Sequence, residues 1–178
     1  MKRLMLIVFV LGVAVWPGAR TPETTAAGET ELAEQSISSE PLVIVVNRIN
    51  SVENLSFGDL HAIFLGNRRY WSDGKRITLV MREPGEAERN VILRDVCGLT
   101  EDQFKMHFLR GLYTGEIMVS PKTLSTSLGV RRFIFNVPGA IGYLRMSEVD
   151  ANVKVVRIDE TFPGDKGYKL RVPYQAVN

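Results

Sequence analysis

Val43-Ile44-Val45-Val46-Asn47-Arg48-Ile49-Asn50, then Ala62-Ile63-Phe64-Leu65-Gly66, then Trp71-Ser72-Asp73-Gly74, then Pro138-Gly139-Ala140-Ile141-Gly142-Tyr143-Leu144 are the blocks that decide the fold. Residues 42–46 form an unbroken, mostly β-branched apolar run. Without alternating polar residues, such a run predicts a strand covered on both faces. Ser56-Phe57-Gly58-Asp59 places an acid three residues after a serine, a capping-box pattern. It predicts a helix over residues 57–65 with Leu60, Ile63 and Phe64 on one face and Gly66 as a left-handed stop. Residues 67–75 are polar around Trp71 and predict a loop that turns at Asp73-Gly74.

Residues 76–81 read as a second strand. Pro84 suits the first turn of a helix running to Cys97 and closed by Gly98. Thr100-Glu101-Asp102-Gln103 is a second capping box, and Phe104, Phe108, Leu109 and Leu112 follow at helical spacing. Leu124, Leu128, Phe133 and Ile134 predict a helix over residues 121–136, broken by Pro138-Gly139. Residues 141–144 and 153–158 read as strands, residues 164–167 as a turn, and residues 168–172 as a last short strand. No internal repeat is visible. The strand–helix alternation predicts a single layered α/β domain, a mixed sheet with helices on both faces.

The N-terminus has the pattern of a secretory signal. Lys2 and Arg3 precede an uncharged apolar run over residues 4–16, short of the ~20 residues that a membrane span needs. Thr25-Ala26-Ala27 offers a small-residue cleavage site, with Gly12-Val13-Ala14 as an alternative. No cysteine lies near either, so no lipoprotein anchor is expected. The domain plan is a signal peptide over 1–27, a flexible spacer over 28–40 rich in Glu, Ser, Thr and Ala, and a folded domain over 41–178. Export to the periplasm follows from that plan.

The formal charge of the chain is +2. Lys2, Arg3, Arg20 and Glu23 account for all of it, so the remainder is near neutral and no nucleic-acid partner is expected. Cys97 is the only cysteine, which excludes an internal disulfide and a cysteine metal site. It falls at a predicted helix end and reads as a buried packing residue. His61 and His107 stand alone at helical positions, with no partner at metal-ligand spacing. No nucleophile–base pair and no Gly-x-Ser-x-Gly or His-Glu-x-x-His motif is visible, so neither an enzyme nor a cofactor is expected.

In their chain order, the four blocks quoted at the outset resemble the solute-binding proteins of phosphate ABC transporters, the PstS-like family. The resemblance implies the type-2 periplasmic-binding-protein fold, shortened at the N-terminus, and reversible binding of phosphate or another small oxyanion. It also implies a membrane permease or an envelope protein as partner. The resemblance covers the later part of the family's length. Full-length members carry a further segment before the first matched strand, with a hydroxyl-rich loop that contacts phosphate from the opposite side. Here the spacer stands in that place, and a ligand would be held more openly or against a partner.

The candidate site is Met81-Arg82-Glu83-Pro84-Gly85-Glu86-Ala87-Glu88-Arg89, where a strand turns into a helix. Free N–H groups of a first helical turn attract anions, and ligands of open α/β sheets sit beyond the carboxyl ends of strands. Arg82 supplies charge and forked donors; Gly85, Glu86 and Ala87 supply backbone N–H groups. The family's phosphate loop reads Arg-x-Asp-Gly-Ser-Gly-Thr. Arg82 and Gly85 match it; Pro84 stands for the Asp, and Glu86, Ala87 and Glu88 stand for Ser, Gly and Thr. An ionised carboxylate accepts hydrogen bonds and donates none, so the two substitutions oppose a phosphate. Helix-end stabilisation by Glu86 and Glu88 explains the same residues without a ligand. An interaction or sensory module that kept the fold and lost phosphate is the alternative function. Residues 120–127, rich in hydroxyls and carrying Lys122, are a second candidate contact, equally explained by capping. Trp71 reads as packing that pins its loop.

Overall fold

The apolar run of residues 42–46 lies in the middle of the main sheet. The computed structural model describes residues 39–174. The expected signal peptide, and the expected spacer up to residue 38, lie outside the described residues. In chain order the elements are β1 (Ser39–Asn47), β2 (Asn54–Leu55), α1 (Phe57–Phe64), β3 (Thr78–Arg82), α2 (Ala87–Val91), α3 (Glu101–Thr114), β4 (Lys122–Leu124), α4 (Ser127–Asn136), β5 (Ala140–Arg145), β6 (Val153–Val155), β7 (Arg157–Ile158) and β8 (Arg171–Pro173). The main sheet has the order β4-β3-β5-β1-β6, with β8 paired to the start of β1. β3 runs parallel to β4 and β5, whereas β1 is antiparallel to β5, β6 and β8. The sheet is therefore mixed, as expected.

The two-sided burial of β1 follows from its side-chain alternation. Leu42, Ile44 and Val46 join the core beneath α1, α2 and α3, and Val43 and Val45 join a second core beneath α4. All five are fully buried, each contributing ~1.5–3 kcal/mol relative to exposure. Two of the quoted blocks meet in space. The buried Trp71 donates its indole N–H to the Gly139 carbonyl at 3.1 Å, and the Thr78 N–H binds the same oxygen at 3.0 Å. The Trp71 loop is thus pinned where β3 and β5 begin.

Several boundaries differ from the sequence reading. β1 includes Ser39 and Glu40, assigned above to the spacer, because β8 pairs with them. Pro84 does not open a helix. Gly85 adopts φ 94°, a conformation no right-handed helix contains, so α2 begins at Ala87. The helix then widens to π geometry over Ile92–Cys97 before Gly98 stops it at φ 64°. The helix predicted over residues 121–136 divides. Its first part is β4, paired with β3, and Thr126 caps α4 by accepting from the Gly129 N–H at 3.0 Å. The apolar spacing of Leu124 and Leu128 ran across this junction and imitated one helix. The strand predicted over 153–158 is two, since β6 pairs with β1 and β7 with β2 in a separate two-stranded sheet. Among the described residues, no helix is long and apolar enough to cross a membrane.

Candidate functional site

Arg82 ends β3 with its backbone fixed on both sides. Its N–H donates to the Tyr143 hydroxyl at 2.9 Å, and its carbonyl accepts from Arg89 Nη1 at 2.8 Å. Burial pushes the Tyr143 hydroxyl far above its ordinary pKa, so it remains a neutral partner. The chain then turns through the exposed Glu83, Pro84 and Gly85. The space beside Gly85 is open, and among the described residues its N–H makes no hydrogen bond. Glu86 is the residue before α2, and its N–H makes only a long 3.4 Å bond to the Glu83 carbonyl. Ala87 begins the helix, half-buried. The four expected ligand-binding residues thus lie together in one turn. Residues 125–126 follow β4, whose Leu124 is opposite Arg82, at the same end of the sheet. Among them, Thr126 is committed to its cap and Ser125 is exposed.

The side chains form a network of charges. Arg82 Nη2 is 2.9 Å from Glu86 Oε2, while Arg82 Nε is buried with no partner. Arg89 grips Glu101 with a fork, both N–O distances 2.7 Å, and its guanidinium lies 5.5 Å from the Phe104 ring centroid. Arg145, at the end of β5, binds Glu88 through Nε, and through Nη1 reaches Glu40 and the Pro173 carbonyl, each at 3.1 Å. Arg145 Nη2 and Glu88 Oε2 are buried without partners. Burial alone would lower the Arg145 pKa, but the hydrogen bonds to Glu88 and Glu40 outweigh it and hold the guanidinium above its ordinary value.

These pairs differ in strength. Glu88, Arg145 and Glu40 are all buried, and removing one member of such a group costs ~3–5 kcal/mol. Glu86 is about one-third exposed, and pairs of that kind contribute ~0.2–1 kcal/mol. Glu86 is therefore the carboxylate most easily displaced from its arginine. Arg145 and Glu40 were not legible as parts of this site. Arg145 and Glu40 are far apart in sequence and meet only because β1 and β5 are antiparallel, Leu42 opposite Arg145.

The remaining candidates have structural partners. The His61 ring donates to the Val96 carbonyl at 2.7 Å and the His107 ring to the Leu65 carbonyl at 2.8 Å, tying α1 to its neighbours. Cys97 is buried, and its thiol pKa is pushed up to about 12.

Comparison with known proteins gives the fold a setting. The family description "PBP superfamily domain" matches residues 18–175. No curated protein matches the chain. An ABC-type phosphate transport receptor from Vibrio cholerae is similar at 22% identity and TM-score 0.63, over 77% of this chain and 55% of that one. PstS from Borrelia burgdorferi is similar at 12% identity and TM-score 0.61, over 76% and 56%. A phosphate-binding protein from Stenotrophomonas maltophilia is similar at 18% identity and TM-score 0.51, over 70% and 40%. The chain spans about half the length of the first two structures. At these identities the likeness is one of fold, the type-2 periplasmic-binding-protein kind.

Proposed function

This chain belongs to the PBP superfamily, and from that premise we propose that it is an exported solute-binding-like protein that holds phosphate or another small oxyanion reversibly, with no bond chemistry. One observation carries the reading. At the carboxyl ends of the neighbouring parallel strands β3 and β5, Arg82 and Arg145 each retain a buried guanidinium nitrogen without a partner. Unmade hydrogen bonds of buried donors are costly, and an oxyanion is the group that relieves them. Arg82 supplies the charge, and the N–H groups of Gly85, Glu86 and Ala87 complete the cradle. Glu86 is a built-in competitor: it occupies Arg82 in the unliganded protein and swings to solvent when the anion arrives. The leader carries the protein to the periplasm, where a permease or another envelope protein is its partner.

Thermal unfolding with and without millimolar phosphate tests this. A ligand at ~100 times its dissociation constant adds ~2.7 kcal/mol of stability. The expected result is a rise of several degrees that is larger in Glu86→Ser, because the competitor is gone, and absent in Arg82→Ala. No shift in either wild type or Glu86→Ser, with phosphate or sulfate, overturns the reading. A second reading is supported by the buried Glu88–Arg145–Glu40 group, which already neutralises one of the two arginines. In that reading the protein is an interaction module whose anion site is filled from within, and flat titrations are its signature.

A further inference from the structure

At the opposite end of β3 from Arg82 lies a second cleft, of about 170 Å³, lined among others by Arg68, Arg69 and Arg76. Thr78 and Arg82 are four residues apart on the strand, so the two regions are ~13 Å apart along it. No acidic residue lines this cleft. Arg68 is paired with Asp59 at 2.7 Å, but neither Arg69 nor Arg76 is in an ion pair among the described residues. Both are exposed, and the Ile77 N–H bond to the Arg69 carbonyl at 2.8 Å holds their chain segments side by side. The floor is apolar, formed by Ile63, Ile77, Phe108 and Ile117. Phe108, Ser120 and Pro121 are shared with an adjoining groove of about 420 Å³ along α3, where Leu109 and Leu112 are exposed.

We propose that this cleft binds an amphipathic anion, with a carboxylate or phosphate head on Arg69 and Arg76 and an apolar chain lying over Phe108 into the groove beside Leu109 and Leu112. Two uncompensated guanidiniums select an oxyanion, because their donors match its acceptors in number and geometry. An apolar floor contributes nothing to a small hydrated ion but gains with every methylene covered. The combination discriminates against inorganic phosphate and against neutral amphiphiles. Both free acyl carboxylates and anionic lipids carry the required chemistry.

Calorimetric titration of the full chain with sub-micellar decanoate, hexanoate and decyl maltoside, with a parallel vesicle arm, tests the proposal. Decanoate is expected to bind at least ten-fold more tightly than hexanoate and than decyl maltoside. Arg69→Ala/Arg76→Ala, which removes two exposed side chains and no backbone bond, is expected to weaken decanoate at least ten-fold. Leu109→Gln, on the chain side, is expected to shrink the decanoate–hexanoate difference. Co-sedimentation with phosphatidylglycerol vesicles but not phosphatidylcholine vesicles, lost in the double variant, identifies membrane lipid as the source. Decanoate binding without co-sedimentation identifies a free amphiphile. Equal binding of decanoate and decyl maltoside, equal binding by wild type and the double variant, or no binding in both arms overturns the proposal.

Discussion

Arg145 shows how much of this protein rests on single residues. It is the only cation that Glu88 and Glu40 touch among the described residues, and all three are buried. A mobile surface arginine can be lost at little cost, but Arg145→Ala leaves two carboxylates in the interior without a counter-charge. Urea denaturation is expected to show a loss of ~3–5 kcal/mol. A loss below 1 kcal/mol would mean that Glu40 and Glu88 reach water or another cation once the guanidinium is gone. Glu86→Ala removes a partner about one-third exposed instead and is expected to change stability by no more than ~1 kcal/mol. The contrast separates the two carboxylates of this loop: Glu88 belongs to the interior and Glu86 to the partly exposed turn.

At the scale of elements, the parts legible in the sequence were those whose signals are local. Ser56 caps α1 by accepting from the Asp59 N–H at 3.0 Å, and Thr100 and Gln103 complete both bonds of their capping box. Such bonds lie within four residues, so the sequence displays both partners at once. Pairing that joins distant segments was not legible in this way. Lys122–Leu124 became a strand because β3 offers it a free edge, and residues 153–158 broke because two different sheets claim their halves. The site divides along the same line. Arg82, Gly85, Glu86 and Ala87 were readable as one turn, whereas Arg145 and Glu40 arrive from β5 and β1.

Gly139 is where elements meet most closely. A Cβ added there would lie 2.0 Å from the Arg76 carbonyl oxygen, a backbone atom that cannot rotate away. Gly139→Ala therefore has to part β5 from the start of β3 and disturb the bond from Trp71. It is expected to cost ~1–3 kcal/mol or more, with a red shift in the fluorescence of the exposed indole. A variant with wild-type stability would show that the loop around Trp71 yields more readily than its buried contacts imply.

At the scale of the whole molecule, one thiol and two phenols among the described residues hold their protons more tightly in the folded state than in the unfolded chain. Burial is the first cause in each case. It pushes the Cys97 thiol from an ordinary value near 9 up to about 12, against the pull of Arg89, and raises the Tyr143 and Tyr168 hydroxyls. A raised folded pKa means that the native protein keeps a proton the unfolded chain releases. The stability is complete below the unfolded value, near pH 9 for the thiol, and is lost as pH rises toward the folded one. These groups sit on different parts of one core cluster, Cys97 at the end of the π-helical segment, Tyr143 on β5 and Tyr168 donating to the Leu42 carbonyl of β1, so their release reports on the core as a unit. The urea midpoint is expected to hold steady from pH 7 to about 9 and to fall steeply above it, with a shallower fall in Tyr143→Phe. Cys97 is also expected to resist iodoacetamide at pH 9 in the native protein and to react within minutes once unfolded. A midpoint unchanged up to pH 11, or a native thiol alkylated as fast as an unfolded one, would mean that the core opens far below its global unfolding free energy. A core that opens so easily could not hold the carboxyl ends of β3 and β5 in register, and Arg82 and Arg145, on which the proposed anion site rests, would lose their fixed geometry.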